Sequence, residues 1–180
     1  MTMLSRRHLI AGTFALAAMP LPALAAGEPV IIHMVSNQSG SYVGFDPIGL
    51  LIRPGQRVRW VCEANVHTTT AYDPKNANHS LRIPKTAAPW NSGYLFPGKT
   101  FEWTFTEPGA YDYFCTPHEM AGMVGRIIVG HPAGPATLPF DYFLHLPDHP
   151  HWLPVPEAAQ KAFPPISEIM RQHRVPLPPP

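Results

Sequence analysis

The segment Tyr113-Phe114-Cys115-Thr116-Pro117-His118-Glu119-Met120-Ala121-Gly122-Met123-Val124-Gly125 brings a thiol, an imidazole and a thioether into one short stretch. All three are soft or borderline metal donors. A thiolate and two imidazoles in a trigonal plane, with a weak axial thioether, suit a copper ion that moves between two oxidation states. Neither state obtains its ideal geometry there, so little rearrangement accompanies the gain or loss of an electron. The spacing C-x-x-H-x-x-x-x-M lets one loop between two strands close around an ion, with Pro117 stiffening the turn and Gly122 permitting a tight backbone path. The second imidazole must come from elsewhere. His67, in Asn65-Val66-His67-Thr68, is the best candidate, because it follows a strand at the end where its loop can meet the Cys115 loop. Plainer readings compete: His67 as a loop histidine bonded to a carbonyl, His118 as a surface residue, and Met120 in place of Met123 as the thioether donor, although it lies almost against His118.

Short strands must position these residues. Val30 to Val35, Arg57 to Cys62, Thr100 to Thr106, Tyr111 to Cys115 and Arg126 to Val129 are rich in β-branched and aromatic residues, and several alternate with period two. Pro54-Gly55, Pro97-Gly98 and Pro108-Gly109 punctuate them with the pair that suits a type II turn. Val58, Trp60 and Cys62 share one strand face and Phe101, Trp103 and Phe105 another, and these faces are expected to meet in a core. Short strands with no helix-period segment between them predict an all-β, antiparallel β-sandwich.

The chain ends differ from this middle. Ser5-Arg6-Arg7-His8-Leu9-Ile10 opens an apolar run that Ala23-Leu24-Ala25 closes, which reads as a cleaved twin-arginine signal over residues 1–25 and a periplasmic or exported mature chain. In an exported protein two cysteines ordinarily form a disulfide. A Cys62–Cys115 bridge would destroy the donor set, so Cys62 is read instead as a buried, unreactive thiol on the Trp60 face. Residues 26–131 form the copper-binding domain and 132–180 an extension. Of the 24 prolines 13 lie in the last 50 residues, too dense for regular ladders, yet Phe140, Tyr142, Phe143, Leu144, Trp152 and Leu153 make this more apolar than a solvated tail. It is expected to wrap on the sandwich or on a partner, with one short helix through Ile166, Ile169 and Met170. His145, His149 and His151 are read as scattered residues of a proline-rich tail rather than a second metal site, His79 as a surface loop residue and His33 as a strand residue. A formal net charge of +1 gives no electrostatic case for nucleic acid, and no polybasic stretch argues for an anionic membrane surface.

The Cys115 to Met123 loop resembles the copper loop of plastocyanins and pseudoazurins. The strand after Pro54-Gly55, the single His67 and the approach Pro108-Gly109-Ala110-Tyr111-Asp112-Tyr113-Phe114-Cys115 are similar to the same cupredoxins, over roughly residues 30 to 130. The resemblance implies a Greek-key sandwich and one type 1 (blue) copper held by ring nitrogens of His67 and His118, the Cys115 thiolate and Met123 axially. An amicyanin-length loop would need methionine at Ala121 and an azurin-length loop at Val124, so this loop is intermediate. One departure is Thr68, where plastocyanins usually carry an asparagine that ties the two ligand loops together. The implied function is single-electron transfer without catalysis, because four protein ligands leave no open position for a substrate. The implied partner is a cytochrome or membrane-bound oxidoreductase docking near His118. A copper carrier or storage module, or a sandwich that binds partners without redox chemistry, are the alternatives.

Overall fold

The computed structural model describes residues 27–148 and 150–180. The segment read as an export signal lies outside the described residues, as does His149. Strands β1 (Val30–Ser36), β2 (Val43–Asp46), β3 (Gly49–Ile52), β4 (Gln56–Cys62), β5 (Thr70–Ala71), β6 (Thr100–Phe105), β7 (Gly109–Phe114), β8 (Val124–Val129) and β9 (Arg174–Val175) form two sheets, in the orders β2-β1-β4-β6 and β5-β7-β8-β3-β9. The expected sandwich is present, with one refinement: both sheets are mixed, because β1 runs parallel to β4 and β3 parallel to β8. Parallel neighbours cannot be joined by a tight hairpin. The chain turns back from β1 along β2, enters the second sheet at β3, and returns to the first as β4.

Two of the proline–glycine pairs make the turns that deliver these strands. Gln56 N–H donates to Arg53 O around Pro54-Gly55, and Lys99 N–H to Phe96 O around Pro97-Gly98. The faces of β4 and β6 meet side by side rather than across the sandwich, since Trp60 pairs with Phe101 and Val58 with Trp103 in one sheet. Tyr111, Tyr113, Ile127 and Val129 come from the second sheet to complete this core, where the Trp60 and Tyr113 rings meet edge-on at 5.6 Å. Each large apolar side chain buried there contributes about 1.5–3 kcal/mol.

Every residue of β7 and β8 is buried, on both faces. The chain after Gly130 covers the outer face. Helices α1 (Glu157–Ala162) and α2 (Ile166–Gln172) bring Ala159, Phe163 and Ile169 against Phe114, Val124, Ala110 and Ile128. Strand β9 then pairs antiparallel with β3 and covers what would be an open sheet edge. Leu177 N–H donates to Asp46 Oδ1, and Tyr42 O–H to Pro178 O, tying the end of the chain to β2.

In the middle of the covered face, Asp112 on β7 is fully buried between two arginines. Arg82 Nε donates to its Oδ2 at 2.8 Å and Arg126 Nε to its Oδ1 at 2.6 Å. Arg126 Nη2 also donates to Asp112 Oδ2, and other guanidinium donors reach backbone carbonyls of the extension: Arg82 those of Ala136, Leu138 and Pro139, and Arg126 that of Pro164. Phe140 lies over Arg82 and Phe163 over Arg126. A buried carboxylate here therefore links extension and sandwich through two cations, offsetting one of their two charges while the extension's carbonyls solvate the guanidinium groups.

Candidate metal centre

Four segments converge at one end of the sandwich. β1 ends at Ser36, β4 leads into the loop that carries His67, β7 ends just before Cys115, and β8 begins just after Met123. Backbone bonds fix each segment. His67 N–H donates to Leu95 O at 3.0 Å and receives Leu95 N–H at 2.7 Å, a two-bond bridge that sets the height of its ring. Cys115 N–H donates to Met123 O, His118 N–H to Cys115 O and Met123 N–H to His118 O, so the loop is closed on itself. Pro117 opens a 3₁₀ turn over Thr116–Ala121, and Gly122 ends it at φ 81°, a left-handed conformation that L side chains disfavour. The room for a tight path at Gly122 is real: a Cβ there would lie 3.3 Å from Ala158 O and Ala162 Cβ of α1.

The side chains meet as follows. Cys115 Sγ lies 3.6 Å from His67 Nδ1 and 3.4 Å from His118 Nδ1, and the two imidazole rings are 5.0 Å apart. One donor atom from each of the three residues falls within 4.8 Å of the others, the one convergence of three metal-type donors among the described residues. His67, Cys115 and Met123 are fully buried, and His118 is half-buried. Met123 packs in the same core cluster as Cys115, whereas Met120 is 75 % exposed. The nitrogen of His67 that faces the thiol is decided by the other one, because Nε2 is held 2.9 Å from Ser36 Oγ.

The donor set fits copper chemically. Burial, and after it the charge of His118, pulls His67 down to about 4, and burial lowers His118 as well. Both imidazoles are therefore neutral and able to ligate near pH 7. Burial pushes the Cys115 thiol up to about 11, although the backbone N–H groups of Thr68 and His118 and the Thr68 side chain oppose it. Thr68 N–H, 3.3 Å from Cys115 Sγ, is one of these and would favour the thiolate once a cation displaces the proton.

The departure at Thr68 has a structural answer. Its Oγ1 accepts Thr116 N–H at 2.8 Å and lies 3.0 Å and 3.1 Å from the hydroxyls of Thr70 and Thr116, so it ties the two ligand loops together. Cys62 is a free, buried thiol directed at Leu95 O, and no disulfide joins it to Cys115. His33 lies on β1 beside Glu63. His145 and His151 are exposed and take no part in the donor cluster. The reading of His79 as a surface residue is corrected: its side chain is only 12 % exposed, packed on Phe114 and bonded to Glu119. Ser36, Leu95, Tyr72 and Glu119 also support the site. Their partners lie between 28 and 47 positions away along the chain, so no local pattern in the sequence marks them.

Known proteins resemble the chain in sequence and in fold. The family model described as copper binding proteins, plastocyanin/azurin family, matches residues 32–130. A plastocyanin from Synechococcus is 32% identical, over 67% of this chain and 86% of its own length. A pseudoazurin from Methylorubrum extorquens is 29% identical, over 71% and 79%. A solved Sinorhizobium pseudoazurin structure superposes with a TM-score of 0.52 at 22% identity, covering 81% of this chain and 98% of its own, which supports the fold. With the loop spacing, the buried donor cluster and a family match over more than half its length, the chain belongs to the plastocyanin/azurin family of copper-binding proteins.

Proposed function

We propose that the mature protein is a periplasmic or exported blue-copper electron carrier whose ion is held by His67, Cys115, His118 and Met123. The observation that carries this reading is the convergence of Cys115 Sγ with Nδ1 of both histidines in a pocket where only His118 reaches the surface. A bound copper ion supplies a one-electron couple. The chain's own contribution is rigidity: the Leu95 bridge, the closed Cys115–Met123 loop and the Thr68 hydroxyl hold the donors in one arrangement, which keeps reorganisation small. Burial of three donors keeps water and exchanging ligands away, which favours reversible redox over metal delivery.

His118 is the port. Pro117, Met120 and Ala121 are exposed around it, and Tyr94 and Phe96, 62 % and 59 % exposed, flank the Leu95 that bridges to His67. An uncharged, apolar rim of this kind suits brief, small-area contact with a redox protein such as a cytochrome or membrane-bound oxidoreductase. Export by the twin-arginine route is supported by the Arg6-Arg7 motif and the apolar run that follows it. No helix among the described residues is long and apolar enough to cross a membrane.

The test is the visible and spin-resonance spectrum of the purified mature chain with copper(II), before and after ascorbate. An intense blue band is expected, which bleaches reversibly, is lost in Cys115→Ser and moves in Met123→Gln. A colourless protein with ordinary copper signals rejects electron transfer and puts a copper carrier in its place.

A further inference from the structure

Glu119 follows His118 in the ligand loop, yet its carboxylate is turned inward and doubly engaged. Tyr72 O–H donates to Oε1 at 2.7 Å, and His79 Nε2 lies 3.2 Å from Oε2. The other nitrogen of His79, Nδ1, is 2.8 Å from the Asn76 carbonyl oxygen. Both ring nitrogens thus face acceptors. A neutral imidazole carries a single N–H, so His79 satisfies both only as an imidazolium. The pair is well shielded, with 12 % of each side chain exposed. The His79 ring also packs on Phe114, centroids 4.5 Å apart, and meets Tyr72 edge-on at 5.6 Å. Phe114 precedes Cys115 and Glu119 follows His118, so this one histidine rests against residues next to two of the proposed ligands.

We infer that His79 and Tyr72 are positioning residues for the His118 loop, acting through Glu119, and that electron transfer at the copper centre is coupled to the proton on His79. The inference rests on the electron-carrier reading above. Reduction brings one electron from the donor protein and lowers the positive charge of the centre by one, so His79 holds its proton more tightly. At a pH between its acidities in the two redox forms, His79 Nε2 takes one proton from solvent on reduction and returns it on oxidation. No bond in the donor set is made or broken.

The surroundings leave Glu119 as the charged group that governs this histidine. On the same loop Asp73 accepts Lys75 N–H, and the Lys75 side chain is exposed. Burial, and after it Glu119, holds the Tyr72 hydroxyl protonated far above its ordinary range. On β7, Asp112 is paired with both Arg82 and Arg126, a cluster with one positive charge in excess whose polar groups are spent on one another and on the extension's carbonyls. The extension pairs with this loop through Leu153 and brings exposed His151 nearby, while the Glu157–Lys161 pair on α1 is open to solvent. Burial pulls His79 down, but the bonds to Glu119 and to the Asn76 carbonyl outweigh it and hold the ring above its ordinary 6.5.

The experiment measures the reduction potential of the copper-loaded protein from pH 5 to pH 9 in wild type, His79→Gln, Glu119→Gln and Tyr72→Phe. Nitrogen NMR of the His79 ring is recorded beside it, in the copper(I) and metal-free forms. In wild type both ring nitrogens should be protonated at neutral pH. The potential should fall as pH rises through the His79 transition, by 59 mV for each tenfold difference in His79 acidity between the redox forms. His79→Gln keeps a donor for Glu119 but cannot titrate, so its potential should lose that inflection. Glu119→Gln should return His79 towards ordinary acidity in both the metal-free and copper(I) forms. In Tyr72→Phe the inflection should persist, with the His118 ring resonances displaced. A blue wild-type protein whose potential is flat, an inflection that survives in His79→Gln, or a His79 ring that is singly protonated at pH 6 overturns the inference while leaving the carrier reading intact. Absence of the blue band in wild type rejects the carrier reading itself.

Discussion

Replacing Thr68 by valine removes one hydroxyl from the join between the ligand loops and keeps the side-chain shape. The structure identifies what is lost. Thr70 Oγ1 retains Asn91 Oδ1 and Thr116 Oγ1 as neighbours, and Thr116, an exposed residue, can turn its own hydroxyl to water. Thr116 N–H is different, because Thr68 Oγ1 is its acceptor and nothing else takes that role. One orphaned buried donor costs about 1–3 kcal/mol, and partial access to water places this one in the lower half, about 1–2 kcal/mol. The backbone bond from Thr68 N–H to Cys115 Sγ is untouched, so the copper band should survive, displaced by the loss of the side-chain interaction that also favours the thiolate. Urea denaturation of the metal-free protein, followed by tryptophan fluorescence, should show this loss with an unchanged m value. Thr68→Asn, which restores an acceptor, should recover most of it. A loss in Thr68→Val below about 0.5 kcal/mol, the size of an ordinary surface substitution, would refute the hydroxyl as the tie between the loops.

Asp112→Ala strips the shared carboxylate from two buried guanidinium groups and should cost about 3–5 kcal/mol in the same assay. Arg59→Ala, at a partly exposed pair with Glu102, should cost about 0–1 kcal/mol. Gly122→Ala forces a side chain into the left-handed region and against α1, so a loss of about 1–2 kcal/mol is expected. A blue band displaced from its wild-type position should accompany it. Metal-free protein should lose stability as pH falls from 6.5 towards 4, because unfolding lets His67 return from about 4 to its ordinary value and bind a proton. The loss should reach about 3 kcal/mol at pH 4 and be absent from the difference between pH 7 and pH 8. Urea titrations of wild type and His67→Gln across this range check it.

What was legible in the sequence was what is local in the chain. Cys115, His118 and Met123 sit on one loop, and both the turn at Pro117 and the glycine that closes it are explicit. The long strands announced themselves by alternation, as in Arg57 to Cys62. Short or doubly buried strands did not: Val43–Asp46 and Thr70–Ala71 are too brief to show a period, and β3 is nearly continuous in apolar residues because both of its faces are covered. The parallel pairing of β1 with β4 was equally hidden, since register between non-consecutive strands is set by packing rather than by any turn. His79 was misread for a related reason. A histidine among Asn76, Ala77, Asn78 and Ser80 looks like a loop residue, and only the tertiary fold brings Glu119 and Phe114 to it.

The proline-rich extension shows why composition alone misleads about such a segment. Prolines bar it from the ladder over most of its length, but they also lower the entropy lost on ordering, so a modest apolar contribution can hold it. That contribution comes from Phe143, Val155, Ala159, Phe163 and Ile169, all buried. The family match ends at Gly130, yet the outer faces of β7 and β8 beneath the extension carry Ala110, Phe114, Val124 and Ile128 together with Asp112 and Arg126. A sandwich ending at Gly130 would expose those apolar side chains beside a carboxylate and two arginines whose carbonyl partners had gone. Because α1 also lies against Gly122 and the 3₁₀ turn over Thr116–Ala121, the extension braces the Cys115–Met123 loop. Support for the Cys115–Met123 loop is therefore a property of the chain from β1 to β9, and not of the matched sandwich alone.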